Sequence, residues 1–167
     1  MRPRKLLLSI AALFALLACD RRGLPNAPAY SPPPGFNSET AARLEEGHVE
    51  TGFLVWGQTK IQVALIDFRK PDTARPVPVT PGAHKILIVA YRDPVLAYLC
   101  TTYKLEAGKS YVAQSTEPFM ETTTLWIEEK SSGAVVGEKH AAIIVRRPAM
   151  FNPDLSRLLW GDMNVAC

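Results

Sequence analysis

Histidine and cysteine side chains carry the most distinctive chemistry in this chain, and the sequence has three of each. The histidines are His48, His84 and His140, and none stands at metal-ligand spacing from another histidine or from a cysteine. His84 opens a predicted strand directly after a turn, where an imidazole often bonds a backbone carbonyl group. The sequence therefore predicts no metal ion and no cofactor, and a structural or solvent-exposed role for His84.

Three other groups of residues invite a catalytic interpretation. Glu128 and Glu129 are adjacent carboxylates, but a strand sends neighbouring side chains to opposite faces. They cannot act together on one bond, and each would need a distant acid such as Asp67. The sequences SSG at 131–133 and GKS at 108–110 lack the rest of a hydrolase or phosphate-loop motif, and they predict hairpin turns. We expect no catalytic residue and a protein that is not an enzyme.

The amino-terminal residues follow the order of a bacterial secretion signal. Arg2, Arg4 and Lys5 form a positive flank, and thirteen residues follow, from Leu6 to Ala18, of which only one is polar. As a helix this run would rise about 20 Å, at roughly 1.5 Å per residue. A membrane span needs about 20 apolar residues. The run is too short for a span and suits the apolar core of a signal peptide over residues 1–18.

The residues Leu16-Leu17-Ala18-Cys19 resemble the lipobox of bacterial lipoproteins, in which a leucine, a variable residue and a small residue precede a cysteine. The resemblance implies that the Cys19 thiol receives diacylglycerol and that the signal peptide is removed. It also implies that the new amine takes a further acyl chain such as palmitate. Two acyl chains suffice for stable anchoring in a membrane. An ordinary signal peptide with an unmodified cysteine is the alternative.

The resemblance to a lipobox implies a location in the cell envelope, facing the periplasm. Asp20 resembles the inner-membrane retention signal of enteric lipoproteins, and Arg21 and Arg22 could weaken that signal, so both membranes stay open with the inner one favoured. Removing the three basic residues of the signal from the 19 Lys and Arg leaves 16, which equals the 16 Asp and Glu. This balance predicts no nucleic-acid partner.

Residues 19–45 are predicted to form a flexible tether. Five prolines lie between Pro25 and Pro34, and such a composition favours extended polyproline geometry over a packed core. The end of this segment, residues 38–46, could alternatively form a short helix with Thr40 as its cap.

Residues 46–147 contain eight or nine short apolar runs, separated by turn signals at fairly regular spacing. They begin with residues 51–56, and the clearest are 60–68, 84–91 and 95–105. The run 84–91 is apolar on both faces and is predicted to be a central strand. The pattern predicts an all-β domain, an antiparallel sandwich or barrel.

Three strings within this domain carry a second resemblance. They are VTPGAHKI at 79–86, LEAGKSY at 105–111 and LWIEEKSSG at 125–133. They resemble small proteobacterial lipoproteins whose domains look immunoglobulin-like, akin to surface-layer modules named for a Pro-Glu-Gly-Ala motif. The resemblance implies an immunoglobulin-like β-sandwich in the cell envelope, and it carries no catalytic residues.

Two cysteines and two tryptophans remain as candidate sites. Cys100 and Cys167 are the thiols left if Cys19 carries lipid, and an oxidising envelope permits a disulfide between them. Such a bridge would pin the tail, residues 148–167, on the domain, where the tail is predicted to be helical or irregular. Free thiols are the alternative. Trp56 and Trp126 would face a ligand if they were exposed beside a groove, although aromatic residues on strands are more often core.

The sequence thus predicts a lipid-anchored envelope protein that acts without catalysis as a binding or scaffolding module, with an envelope protein as its partner. The alternative is a periplasmic module that binds or inhibits a glycan or protein ligand. An enzyme would require His84 or His140 in a pocket, with a carboxylate and a hydroxyl group within hydrogen-bond reach.

Overall fold

The computed structural model describes residues 27–49, 59–72, 76–92, 95–116, 122–146 and 167, and these residues form an all-β structure without a helix. The all-β class predicted from the turn spacing is therefore confirmed. The strands are β1 Ala42–Glu45, β2 Gly47–Val49, β3 Thr59–Ile66, β4 Val77–Val79, β5 Gly82–Arg92, β6 Val95–Leu105, β7 Ser110–Ser115, β8 Thr124–Glu129, β9 Val135–Ala141 and β10 Ile143–Arg146.

The strands make two five-stranded sheets. Sheet 1 has the order β4-β1-β7-β8-β9, and sheet 2 has the order β10-β6-β5-β3-β2. Sheet 2 is antiparallel throughout, whereas sheet 1 is mixed because β1 runs parallel to β7. The chain changes sheet between β1 and β2, where Gly47 packs so closely on the carbonyl oxygen of Ala113 that a Cβ atom would overlap it.

The inner faces of the two sheets enclose one apolar core. Sheet 1 contributes side chains such as Leu44, Tyr111 and Ile127, and sheet 2 contributes Val63 and Ile88 among others. Because side chains alternate between the two faces of a strand, each strand can contribute every second side chain to this core.

The two apolar faces of β5 predict a central strand. This prediction is confirmed, because β5 lies between β6 and β3. Its inner row, Ile86, Ile88 and Ala90, joins the core. Its outer row, Leu87 and Val89, belongs to a second buried cluster on the opposite face of sheet 2.

The second cluster holds one end of the described chain. Cys100 and Cys167 form a disulfide with their Cα atoms 5.4 Å apart, so the bridge that the sequence left open is present in the structure. Cys167 packs against the outer cluster, and the Lys85 ammonium group donates a hydrogen bond to its main-chain oxygen. Cys167 is thus attached to the outer face of sheet 2.

The predicted boundary between tether and domain is wrong, because residues 42–45 form β1 and not a flexible segment or a short helix. Ala42 and Leu44 are at most 1 % exposed, whereas Arg43 between them is exposed. β1 lies between β4 and β7, which supply its backbone hydrogen bonds on both sides. Four residues with a period of two fold as a strand here because two neighbours that are distant in sequence enclose them.

Part of the proline-containing segment also contacts the domain. The Tyr30 amide group donates to the Lys70 carbonyl group at 2.7 Å, and the Lys70 amide group donates to the Pro28 carbonyl group at 2.8 Å. Tyr30 packs against the main core. Several predicted features lie outside the described residues: the signal peptide 1–18, the lipidation site Cys19, the strand 51–56 and the tail residues 148–166. Within the described residues, no helix has the length and apolar composition needed to cross a membrane.

Leu44→Ala tests whether β1 is part of the folded body. We expect the free energy of unfolding to fall by about 2–5 kcal/mol, the cost of a large-to-small change in a core. Arg43→Ala, the exposed neighbour, should change it by less than about 0.5 kcal/mol. Chemical denaturation of both variants measures the difference, and equal effects would show that β1 is not packed in the core.

Candidate binding cleft

The chain between β9 and β10 crosses from sheet 1 to sheet 2 at Ala142. The Ala142 amide group donates to the Thr123 carbonyl group at 2.7 Å, which fixes the crossing point beside β8. β9 pairs with β8, and β10 then pairs with β6, over residues 95–98. β6 is paired with β5 along its whole length, from Val95 to Leu105. Residues 99–105 of β6 therefore have no paired strand on their other side among the described residues.

A cleft of about 490 Å³ lies where β9 diverges from β6. Thr102, Tyr103 and Lys104 of β6 form one wall, and Val135 and Val136 of β9 lie opposite. The remaining lining residues are Glu106, Lys109, Tyr111, Glu129, Ala134 and Gly137. Small-molecule pockets commonly measure about 300–1,000 Å³, so the volume of the cleft lies within the range of ligand sites.

A network of ion pairs orders the rim of the cleft. The Lys109 ammonium group lies 2.9 Å from a Glu106 carboxylate oxygen and 3.1 Å from a Glu129 carboxylate oxygen. The Ser131 and Ser132 hydroxyl groups also donate to Glu129, at 2.6 and 3.1 Å. The Ser131 hydrogen bond and then Lys109 lower the pKa of Glu129, while Glu106 and then Glu129 raise the pKa of Lys109. These charges already have partners.

Two tyrosine hydroxyl groups beside the cleft differ in their hydrogen bonding. The Tyr111 hydroxyl oxygen accepts a hydrogen bond from the Glu106 amide group at 2.9 Å. The Tyr103 hydroxyl group is buried and has no hydrogen-bond partner within the described structure, and the residue is only 2 % exposed. Burial raises the pKa of Tyr103 to about 12. A buried polar group without a partner costs about 1–3 kcal/mol.

Asp67, His84 and Thr80 come together as the enzyme alternative required, at the turn after β3. His84 Nδ1 lies 2.7 Å from Asp67 Oδ2, and His84 Nε2 lies 3.2 Å from the Thr80 hydroxyl oxygen. However, Nε2 is closer, at 2.6 Å, to the Thr80 carbonyl oxygen, which can only accept. Each ring nitrogen therefore has an acceptor within hydrogen-bond distance, and Nε2 is closer to the Thr80 carbonyl oxygen than to the Thr80 hydroxyl group that it would have to deprotonate.

This cluster fixes a turn. Asp67 also accepts a hydrogen bond from the Lys85 amide group at 2.9 Å, which ties the end of β3 to the start of β5. Asp67 and Phe68 have φ angles of 48° and 63°, a conformation that costs energy in residues other than glycine and needs such support. The hydrogen bond from His84 to a backbone carbonyl group is the one that the sequence suggests.

The structure does not support a ligand-facing role for Trp126. The residue is 8 % exposed, and the Lys139 ammonium group lies over the ring, 4.0 Å from its centroid. Its indole N–H group donates to Glu128 at 3.3 Å. Glu128 and Glu129 have separate partners, as alternation along the strand requires. Trp56 lies outside the described residues.

The other candidate residues do not gather into a site. His140 pairs with Leu125 across sheet 1, and His48 lies on β2 at the far edge of sheet 2. In the part of the chain that the structure describes, no three metal-ligating side chains cluster. The GKS residues 108–110 form a turn, but this turn links β6 of one sheet to β7 of the other and is not a hairpin.

No model of a known protein family matches the chain, and neither a curated protein nor a solved structure matches it. The cleft is therefore interpreted from its own residues.

Tyr103→Phe tests the unpartnered hydroxyl group. We expect the variant to be as stable as the parent protein, or more stable by up to about 1 kcal/mol, because no hydrogen bond is lost. Tyr111→Phe, the matched control, should lose about 1 kcal/mol because its hydroxyl group accepts from Glu106.

The pH dependence provides a second measurement. Because the pKa of Tyr103 is raised to about 12 from 10.0, its contribution to stability is present below pH 10 and is lost as the pH rises through 12. Tyr103→Phe should lack this alkaline loss and the late-ionising tyrosine absorbance. A Tyr103→Phe variant that is clearly less stable than Tyr111→Phe would contradict the assignment.

Proposed function

We propose that the protein is a lipid-anchored lipoprotein of the cell envelope that acts without catalysis as a binding or scaffolding module. Its body would be an immunoglobulin-like sandwich facing the periplasm, held on the membrane by acyl chains on Cys19. The lipobox-like residues 16–19 and the proline-rich segment after them support the anchor. The two sheets packed on one core, and the strings that resemble envelope lipoproteins, support the immunoglobulin-like form.

The cleft between β6 and β9 is the observation that carries the binding role. It combines an unpaired stretch of strand edge, an apolar wall and a buried hydroxyl group without a partner. Each of these features raises the free energy of the unbound protein. A bound molecule that supplies the missing contacts would lower it. The cleft therefore suits a binding module whose partner completes the structure.

Two further observations support the proposal. The disulfide between Cys100 and Cys167 is the kind of bridge that persists in an oxidising compartment such as the periplasm. The Asp67 and His84 side chains, which would be needed for acid–base catalysis, are committed to fixing the turn after β3.

The alternative, a periplasmic module that binds or inhibits a glycan or a protein, uses the same cleft. A glycan site would be expected to present an aromatic ring to the ligand, and Lys139 covers the face of Trp126. The cleft therefore favours a protein partner over a sugar.

Cys19→Ser tests the anchor in the source cells. Acylated protein should sediment with membranes, and the variant should move to the soluble fraction because it lacks the thiol that takes the lipid. Cys167→Ser is the matched control. It removes a cysteine that forms the disulfide and carries no lipid in this proposal, so this variant should stay with the membranes. Mass spectrometry should find acyl groups on an amino-terminal Cys19. A soluble wild-type protein with a free Cys19 thiol, or an uncleaved precursor, would contradict the proposal.

A further inference from the structure

We propose that the cleft binds an extended segment of a partner protein as an added β-strand, paired to residues 99–105 of β6. The inference rests on the proposed binding function and names its partner chemistry. The occupant is a polypeptide in the extended conformation, with an apolar side chain facing the core and an acidic side chain on the opposite face.

The backbone of β6 supplies the main contact. Its pairing with β5 runs without interruption from Val95 against Arg92 to Leu105 against Gly82. Along an antiparallel strand, successive backbone groups point alternately to the two neighbours. About half of the N–H and C=O groups of residues 99–105 therefore point at the cleft, and they form the row of unpaired groups with which an added strand pairs.

The position of β10 sets where the added strand would lie. β10 is on the same side of β6 and ends its pairing at Ile143 against Tyr98. An added strand would continue that ladder along β6, in line with β10. β9, which precedes Ala142, does not use the backbone groups of this edge, because it is hydrogen-bonded to β8 in the other sheet.

Tyr103 and the β9 wall specify the inner face of the added strand. The Tyr103 side chain points into the core, so its hydroxyl group requires an acceptor on that face, either a carbonyl group or an amide or hydroxyl side chain. Val135 and Val136 line the opposite wall. An apolar side chain next to the acceptor would pack against Val136, the one of the two that packs against the core.

Lys104 specifies the outer face. It follows Tyr103 on the strand, so its side chain lies on the other face of sheet 2, and it is exposed. Lys109, the other ammonium group of the lining, is paired with Glu106 and Glu129, whereas Lys104 is in no ion pair with a described residue. A carboxylate opposite Lys104 on the added strand would supply the missing charge.

Affinity measurements on the purified full chain in detergent test the proposal. The probe is a displayed library of random peptides of about ten residues, long enough for one strand. The enriched peptides should alternate apolar and acidic residues. Lys104→Glu should weaken their binding by up to about fivefold, the upper limit for one exposed charge pair. Tyr103→Phe should weaken it by about five- to tenfold through the loss of a buried hydrogen bond.

Lys60→Glu is the matched control. Lys60 is also exposed on a strand of sheet 2, but β5 separates its strand from β6. We expect this variant to bind the peptides as the parent protein does. Equal loss in Lys60→Glu and Lys104→Glu, or no enriched peptide, would overturn strand addition.

Photo-cross-linking in the source cells separates this inference from the proposed function. A photoreactive amino acid at position 102 should capture a partner protein, and one at position 60 should not. Capture from position 60 alone would leave a binding module but exclude strand addition at β6. If position 102 captured a second copy of this chain, the proposal of a different partner protein would be wrong, and the edge of β6 would serve self-association. Absence of capture from both positions would count against the proposed function as well.

Discussion

A β-strand forms backbone hydrogen bonds only as far as its neighbours extend, and this limit shapes the molecule. β6 is eleven residues long and is fully paired with β5, but β10 reaches only residues 95–98 on its other side. β10 is short because the same stretch of chain first pairs with β8 as β9, and the hydrogen bond from Ala142 to Thr123 fixes the crossing. Residues 135–146 thus supply the edge strand of both sheets. They pair along β8 in sheet 1, but in sheet 2 they cover only residues 95–98 of β6.

The distribution of satisfied and unsatisfied polar groups agrees with this division. At the turn after β3, each polar atom of the Asp67 and His84 pair has a partner, and the turn is held in an otherwise costly conformation. At the cleft rim, Lys109 joins two carboxylates. The buried Tyr103 hydroxyl group beside the cleft has no partner among the described residues, and the same holds for the buried hydroxyl groups of Thr59 and Thr123.

The sequence predicts the strands better than it predicts their neighbours. The strands β5, β6, β7 and β8 follow from alternation and turn signals, since both are local features. The predicted tether includes the residues of β1, because four residues carry little periodicity. Ala42 and Leu44 lie on a strand that pairs with β4 and β7, which are distant in sequence. For the same reason the sequence does not decide between a Cys100–Cys167 disulfide and free thiols, because pairing depends on distances that local patterns do not contain.

The cleft could be predicted only in part. Tyr103 has the pattern of a core aromatic residue, which it is, but the lack of a partner for its hydroxyl group depends on where β9 leaves β6. The turn at 108–110 has the composition of a hairpin and instead joins the two sheets. The sequence contains one signal of the unpaired edge, the unequal length of the apolar runs 95–105 and 141–146. This difference is informative only when the two runs are known to be neighbours.

Amide hydrogen exchange along β6 of the free protein tests the unpaired edge most directly. Residues 95–98, which have strands on both sides, should all exchange slowly. From residue 99 to 105, slow and fast amides should alternate, because every second N–H group points into the cleft and away from β5. Uniformly slow exchange over the whole of β6 would show that this edge is already paired, and it would contradict the account.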